Sequence, residues 1–294
     1  MSRFKMHKGA AILALMVLLS ACGSAQAKPS KSAVAASTDW SPVLIDSDLV
    51  PGQNRFTLGL LDEQGQPITD ASVHLTFFKL LDGGKAQAAG SADAVFMGKD
   101  FNDTTGNKGV YVAHPTFDAS GQWGLQVDAS RGGGPVHTSR TNFQVNDKPT
   151  TPAVGSKAIP SHNKIASDVQ NLSEIDSGNP PDDMHDLRIS DGIAEHKPML
   201  IIFATPAYCV SRVCGPEVQL VQSLEPEWRD KVGFIHIEIY ADPKTQRVMQ
   251  TVEEWRIRTE PWIFLVDRNG IITAKFEGPT LKEELEPELA KIAS

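Results

Sequence analysis

Two cysteines, Cys209 and Cys214, stand five positions apart with Val-Ser-Arg-Val between them. That spacing restricts the backbone. A disulfide needs Cα atoms ~4.4–6.8 Å apart. Along a continuous helix, five positions give ~7.5 Å of rise and ~140° of net rotation, which turns the side chains apart. A bridging pair therefore requires Cys209 in a loop and a helix that starts near Val213–Pro216. Pro216 fits, because proline is accepted in a first helical turn and not deeper. Cys214 then stands near a helix N-terminus, where backbone N–H groups and the helix dipole stabilise a thiolate. Arg212 adds a positive charge nearby. The thiolate is the reactive form, so the pair is suited to exchange with protein thiols and disulfides. The helix favours Cys214 as first attacker, and exposure ahead of the helix favours Cys209. Two other uses compete: a structural disulfide bond in a non-catalytic binding protein, and metal ligation. So small a closed loop constrains the unfolded chain little, which weakly motivates a static bridge.

The third cysteine, Cys22, ends a different kind of segment. Arg3, Lys5 and Lys8 form a basic start, Ala10–Leu19 is a short apolar run, and Leu19-Ser20-Ala21 precedes the cysteine. This pattern reads as a secretory signal peptide over residues 1–21. Leu-Ser-Ala-Cys also resembles the lipobox of bacterial lipoproteins. That resemblance implies cleavage before Cys22, lipidation (palmitate) of its thiol, and a lipid-anchored place on the extracytoplasmic face of a cell membrane. Disulfides persist outside the cytoplasm. No apolar run reaches the ~18–20 residues of a membrane-spanning helix. The chain carries a net charge of −8, or −11 once the three positive residues before position 22 are set aside. Such a surface is repelled by phosphate backbones, so no nucleic-acid partner is expected. No Gly-rich phosphate loop follows a strand, and no Ser-His-Asp order accompanies a nucleophile elbow. His74, His114 and His137 are scattered without paired ligand spacing, so neither a metal nor a cofactor is expected.

Residues 22–38, rich in Ala and Ser, read as a flexible tether. Residues 39–147 alternate with period 2 around Phe56, Leu58 and Leu60, around Val73, Leu75 and Phe77, and around Trp123, Leu125 and Val127. Turn residues such as Asp82-Gly83-Gly84 and Gly106-Asn107 separate these runs, which predicts a β-sandwich. The stretch resembles immunoglobulin-like extracytoplasmic modules. Residues 148–181, punctuated by Pro149, Pro152, Pro160, Pro180 and Pro181, read as a linker. From 182 to 294 the pattern alternates. Met199–Ala204, Val232–Tyr240, Pro261–Val266 and Ile271–Phe276 read as strands, and Leu187–His196, Pro216–Arg229, Thr245–Ile257 and the segment from Thr280 as helices. Asp267-Arg268-Asn269-Gly270 signals a hairpin.

Residues 182–294 resemble a thioredoxin-like domain through Phe203-Ala204-Thr205-Pro206-Ala207-Tyr208-Cys209, Cys214-Gly215-Pro216 and Thr259-Glu260-Pro261. The resemblance implies an α+β multidomain chain, an Ig-like β-sandwich followed by a thioredoxin-like α/β domain. It implies a redox-active centre at Cys209 and Cys214, and a cis-proline at Pro261. Glu260, Pro261, Trp262 and Pro216 would then bind the partner chain. Three departures stand out. Four residues separate the cysteines instead of two, Glu217 stands where the second cysteine would, and Ile202 occupies the place of the usual buried acid. Thioredoxin-fold copper carriers offer a less favoured reading, copper delivery. They add a loop histidine, whereas His236 falls inside a predicted strand and His185 precedes the pair.

Overall fold

The computed structural model describes residues 40–98, 109–210 and 213–294. The signal segment, Cys22, the tether, the Gly106-Asn107 turn and Arg212 lie outside the described residues. The first part is built from β1 (Trp40–Leu44), β2 (Gly52–Gln53), β3 (Phe56–Asp62), β4 (Ala71–Leu81), β5 (Lys85–Met97), β6 (Val110–Ala113), β7 (Thr116–Phe117), β8 (Gly121–Arg131) and β9 (His137–Val145). Period-2 alternation turns Val73, Leu75 and Phe77 of β4 and Trp123, Leu125 and Val127 of β8 inward. Inside, Phe56, Phe77, Phe117 and Phe143 pack mostly edge to face, with centroids as close as 5.3 Å.

The expected Ig-like two-sheet sandwich is corrected by the topology. Seven strands form one antiparallel sheet in the order β1-β3-β6-β5-β4-β8-β9. The reason lies in β5, which spans thirteen residues. Its first part pairs with β4, and Val95–Met97 pair with β6, so one strand joins what would be two sheets. A bulge at Ala89–Gly90, with Gly90 at φ 135°, lets it bend. The sheet curls until its ends meet: Ser139 Oγ donates to Trp40 O (2.8 Å), and the Trp40 ring stacks on His137 at 4.4 Å.

The second part comprises α1 (Ile189–Ala194), β10 (Met199–Ala204), α2 (Cys214–Trp228), β11 (Gly233–Glu238), β12 (Tyr240–Asp242), β13 (Arg247–Val248), α3 (Gln250–Glu254), β14 (Trp262–Val266), β15 (Ile272–Glu277) and α4 (Lys282–Ile292). Its main sheet runs β11-β10-β14-β15, with β10–β11 parallel and the other pairs antiparallel. β10 is buried throughout. Leu200 and Ile202 join the core with Val221 of α2 and Leu285 of α4, while Ile201 and Phe203 join Trp255 and Phe264.

The expected thioredoxin-like α/β domain is corrected as well. Strand outweighs helix, 39% against 19%, so the chain is mostly β. Of the four α-helices among the described residues, α1 and α3 have only six and five residues. The predicted helix Thr245–Ile257 begins only at Gln250 for a local reason. The Asp242 carboxylate accepts from Lys244 N (3.0 Å) and Thr245 Oγ1 (2.9 Å), fixing a turn. Gln246 follows at φ 57°, and the chain enters the β12–β13 hairpin.

Residues 148–181 form ordered coil laid against the second part. Gly155 N donates to Ile272 O, Ile272 N to Ser156 O and Ala158 N to Gly270 O, at 2.8–2.9 Å. Charged side chains join the two β-rich parts directly. Arg55 binds Glu284 through Nε (2.7 Å) and Nη2 (3.1 Å) and donates to Pro279 O (2.6 Å), while Lys275 Nζ reaches Asp48 at 2.7 Å. Among the described residues, no helix is long and apolar enough to cross a membrane.

Candidate dithiol site and the polar cluster behind it

β10 delivers the chain to Thr205, whose carbonyl accepts from Tyr208 N (3.3 Å) and Cys209 N (3.1 Å). This single turn sets Cys209 at the rim, 9% exposed, between Tyr208 and Val210, which are 49% and 92% exposed. Cys214 opens α2 and is fully buried. No disulfide joins the two sulfurs. The hydrogen bond with Cys209, followed by burial, holds the Cys214 thiol far above the usual range, against a backbone hydrogen bond from Thr205. An outer sulfur and an inner, proton-holding sulfur thus face each other. The expected structural disulfide bond is corrected accordingly, because the two sulfurs are unbridged.

Acidic and phenolic groups surround the pair. Burial pushes the Glu260 carboxyl up to about 7, helped by the charges of Cys209 and Glu238. Burial, then Glu260 and the two cysteines, raise the Tyr240 hydroxyl. The Tyr208 and Tyr240 rings meet edge-on at 6.4 Å. The Glu260–Pro261 peptide bond is cis. A cleft of about 690 Å³, lined in part by Asp176, Ser177, Tyr208, His236, Glu238 and Tyr240, opens beside this loop.

Behind the loop lies a buried cluster of Asp176, Asp182, His185 and His236. His236 Nδ1 is 2.7 Å from Asp182 Oδ2 and 3.9 Å from Asp176 Oδ2. His185 Nε2 is 3.2 Å from Asp176 Oδ2 and 3.2 Å from Asp182 Oδ1. The opposite nitrogen of His236 meets Ala204 O at 3.2 Å. Backbone donors hold the carboxylates: Gly178 N (2.7 Å) and Asp182 N (2.6 Å) on Asp176, and Met184 N (2.9 Å) on Asp182. Burial pulls the His185 imidazole down, but its hydrogen bonds to the Asp176 and Asp182 carboxylates raise it to about 9. Ser177 connects this cluster to the thiol loop, its Oγ accepting from Ala207 N (3.1 Å) and meeting Thr205 Oγ1 at 3.5 Å.

The structure brings Cys209, Cys214 and Glu260 into one neighbourhood, with Pro261 next in sequence. Pro216 lies partly buried in the first turn of α2. Trp262 packs largely into the core. It is 2% exposed, donates from Nε1 to Thr259 Oγ1 (3.0 Å) and stacks on Phe264. His185 and His236 turn to the two aspartates. Asp176 and Asp182 escape the sequence reading because the first lies in a predicted linker and both are remote from His236. A buried Asp-x5-Asp-x2-His run facing a histidine in an apolar strand is the signal that could have found them.

Comparison with known proteins places one part of the chain. The YtkA-like family model matches residues 34–128, a stretch that includes strands β1 to β7 of the first part. Among solved structures, the chain is similar to a DUF4426 family protein from Pseudomonas aeruginosa, at 14% identity. The match covers 38% of this chain and 93% of that one, with a TM-score of 0.24. It is also similar to AvmM, a catalyst of macrocyclization in alchivemycin A biosynthesis, at 10% identity, 38% and 90% coverage and a TM-score of 0.23. No curated protein matches the chain. The thioredoxin-like resemblance is thus replaced by a narrower relationship, the likeness of residues 34–128 to the YtkA-like family.

Proposed function

We propose that Cys209 and Cys214 carry out thiol–disulfide exchange with partner proteins, on a chain anchored through Cys22 at the extracytoplasmic face of a membrane. One observation carries this reading: two unbridged thiols in hydrogen-bond contact, the outer flanked by the exposed side chains of Tyr208 and Val210. From position 182 on, these two are the exposed large hydrophobic residues among the described ones, a surface suited to a polypeptide.

The Cys209 thiolate attacks one sulfur of a partner disulfide. The partner's S–S bond breaks, its other sulfur leaves as a thiolate, and a mixed disulfide forms. Cys214 then gives up its proton and attacks Cys209 Sγ. The mixed disulfide breaks and the partner's second thiolate is released. The two cysteines end oxidised to a disulfide and the partner disulfide ends reduced to two thiols; the reverse sequence oxidises a partner. Glu260, with its carboxyl near 7, suits proton transfer to and from the sulfurs at neutral pH. Redox titration of the pair tests this reading. A potential above about −300 mV supports exchange, and a value below it marks a permanent bridge and overturns it.

A further inference from the structure

We propose that Asp176, Asp182, His185 and His236 form a closed, four-ligand site for a divalent cation of the zinc class. The site does not depend on the thiol reading. Each residue is buried and turns one donor atom inward, and these atoms all lie within 4.8 Å of one another. Zinc bonds nitrogen and carboxylate oxygen at ~2.0–2.2 Å, so the edges of its tetrahedron measure roughly 3.3–3.5 Å. Asp176 Oδ2 stands 3.2 Å from His185 Nε2 and 3.9 Å from His236 Nδ1, and the two carboxylate oxygens of Asp182 stand 3.2 and 2.7 Å from the same two nitrogens, distances that bracket such an edge.

The surroundings match those of a metal site. Ligating histidines hold their second nitrogen on a carbonyl or carboxylate, and ligating carboxylates are themselves hydrogen-bonded. His236 has Ala204 O behind it, and Asp176 and Asp182 have backbone N–H donors. Charge points the same way. Without a cation, balancing two buried carboxylates needs two imidazolium rings whose centroids are 5.2 Å apart, a like-charge pair out of water. One dication with neutral imidazoles balances both carboxylates and removes that repulsion. Two oxygens and two nitrogens suit zinc better than softer ions. Asp176 and His236 line the open cleft, which provides an entry path. A bound ion would clamp the 176–185 segment onto β11 and set Ser177 beneath the Cys209 loop.

The test is zinc titration of the full-length protein, stripped with a chelator, against a chromogenic competitor. One equivalent should bind, and the same equivalent should bind to the Cys209→Ser/Cys214→Ser variant. His236→Gln should weaken binding by more than the ~10–100-fold typical of outer-shell losses. Cobalt serves as a spectroscopic substitute. A visible ligand-field band without sulfur-to-cobalt charge transfer supports the site, and it needs no ligand variant to fold. No stoichiometric binding to the folded protein, loss of binding with the cysteines, or a sulfur charge-transfer band overturns it.

Discussion

Glu217 offers a sharp test of the electrostatics, because its carboxyl is fully buried in the first turn of α2. Oε2 accepts from Thr280 N at 3.2 Å, while Oε1 has no partner among the described residues. Burial pushes this carboxyl from its ordinary 4.5 up to about 8, against the pull of Thr280 and Arg55. A raised folded value means that the folded chain keeps the proton longer than the unfolded one. The associated stability is complete below about 4.5, is lost as pH rises toward about 8, and stays lost above it. At about 1.36 kcal/mol per pH unit, the full loss approaches ~5 kcal/mol, of which ~3 kcal/mol falls between pH 5 and pH 8. Glu217→Gln keeps the shape and removes the titration. Urea denaturation followed by tryptophan fluorescence at pH 5 and pH 8 measures both chains. The natural chain should lose ~3 kcal/mol more than the variant over that interval. Parallel losses in the two chains would refute the reasoning, since every other titrating group is common to both.

Three further outcomes are expected. Arg55→Met strips the partner from Glu284, a pair in which each side chain is only 11% exposed, and should cost ~3–5 kcal/mol in denaturation experiments; a cost below ~1 kcal/mol would show that the junction between the β-rich parts does not depend on it. Trp123→Ala empties the centre of the curled sheet, where Trp123 is 1% exposed, and should cost ~3–5 kcal/mol by the same measurement. Glu260→Gln removes a negative charge that opposes a thiolate at Cys209, so alkylation of Cys209 should proceed at lower pH than in the natural chain; an unchanged pH profile, read by mass spectrometry, counts against that coupling.

Strands with strong local signals are legible in the sequence. Met199–Ala204, an unbroken apolar run, is β10 to the residue, and the hairpin signal Asp267–Gly270 does join β14 to β15. At Asp267 the reason is local: its carboxylate accepts from Asn269 N and Ile271 N, both at 2.9 Å. Helix limits are less legible. α4 begins at Lys282, two residues beyond the start expected at Thr280, and Glu284 Oε2 accepts from Leu281 N at 3.2 Å. What periodicity cannot carry is pairing across the chain. The continuity of β5 with two neighbours, the Arg55–Glu284 pair and the aspartate–histidine cluster all join residues that share no local pattern. The order of helix and strand overstates helix for a different, local reason, since the Asp242 turn competes with a helical period that looks intact in the sequence. At the thiol site, the two sulfurs and the start of α2 are legible in the sequence, whereas which sulfur lies inside and which at the rim follows from burial.

The central claim is that the rim sulfur attacks and the buried one resolves. Incubating single variants with a disulfide-containing peptide, followed by non-reducing mass spectrometry, tests it most directly. Cys214→Ser should accumulate a covalent adduct through Cys209, and Cys209→Ser should give none. Adducts from neither variant would contradict the account, as would an adduct formed only through Cys214.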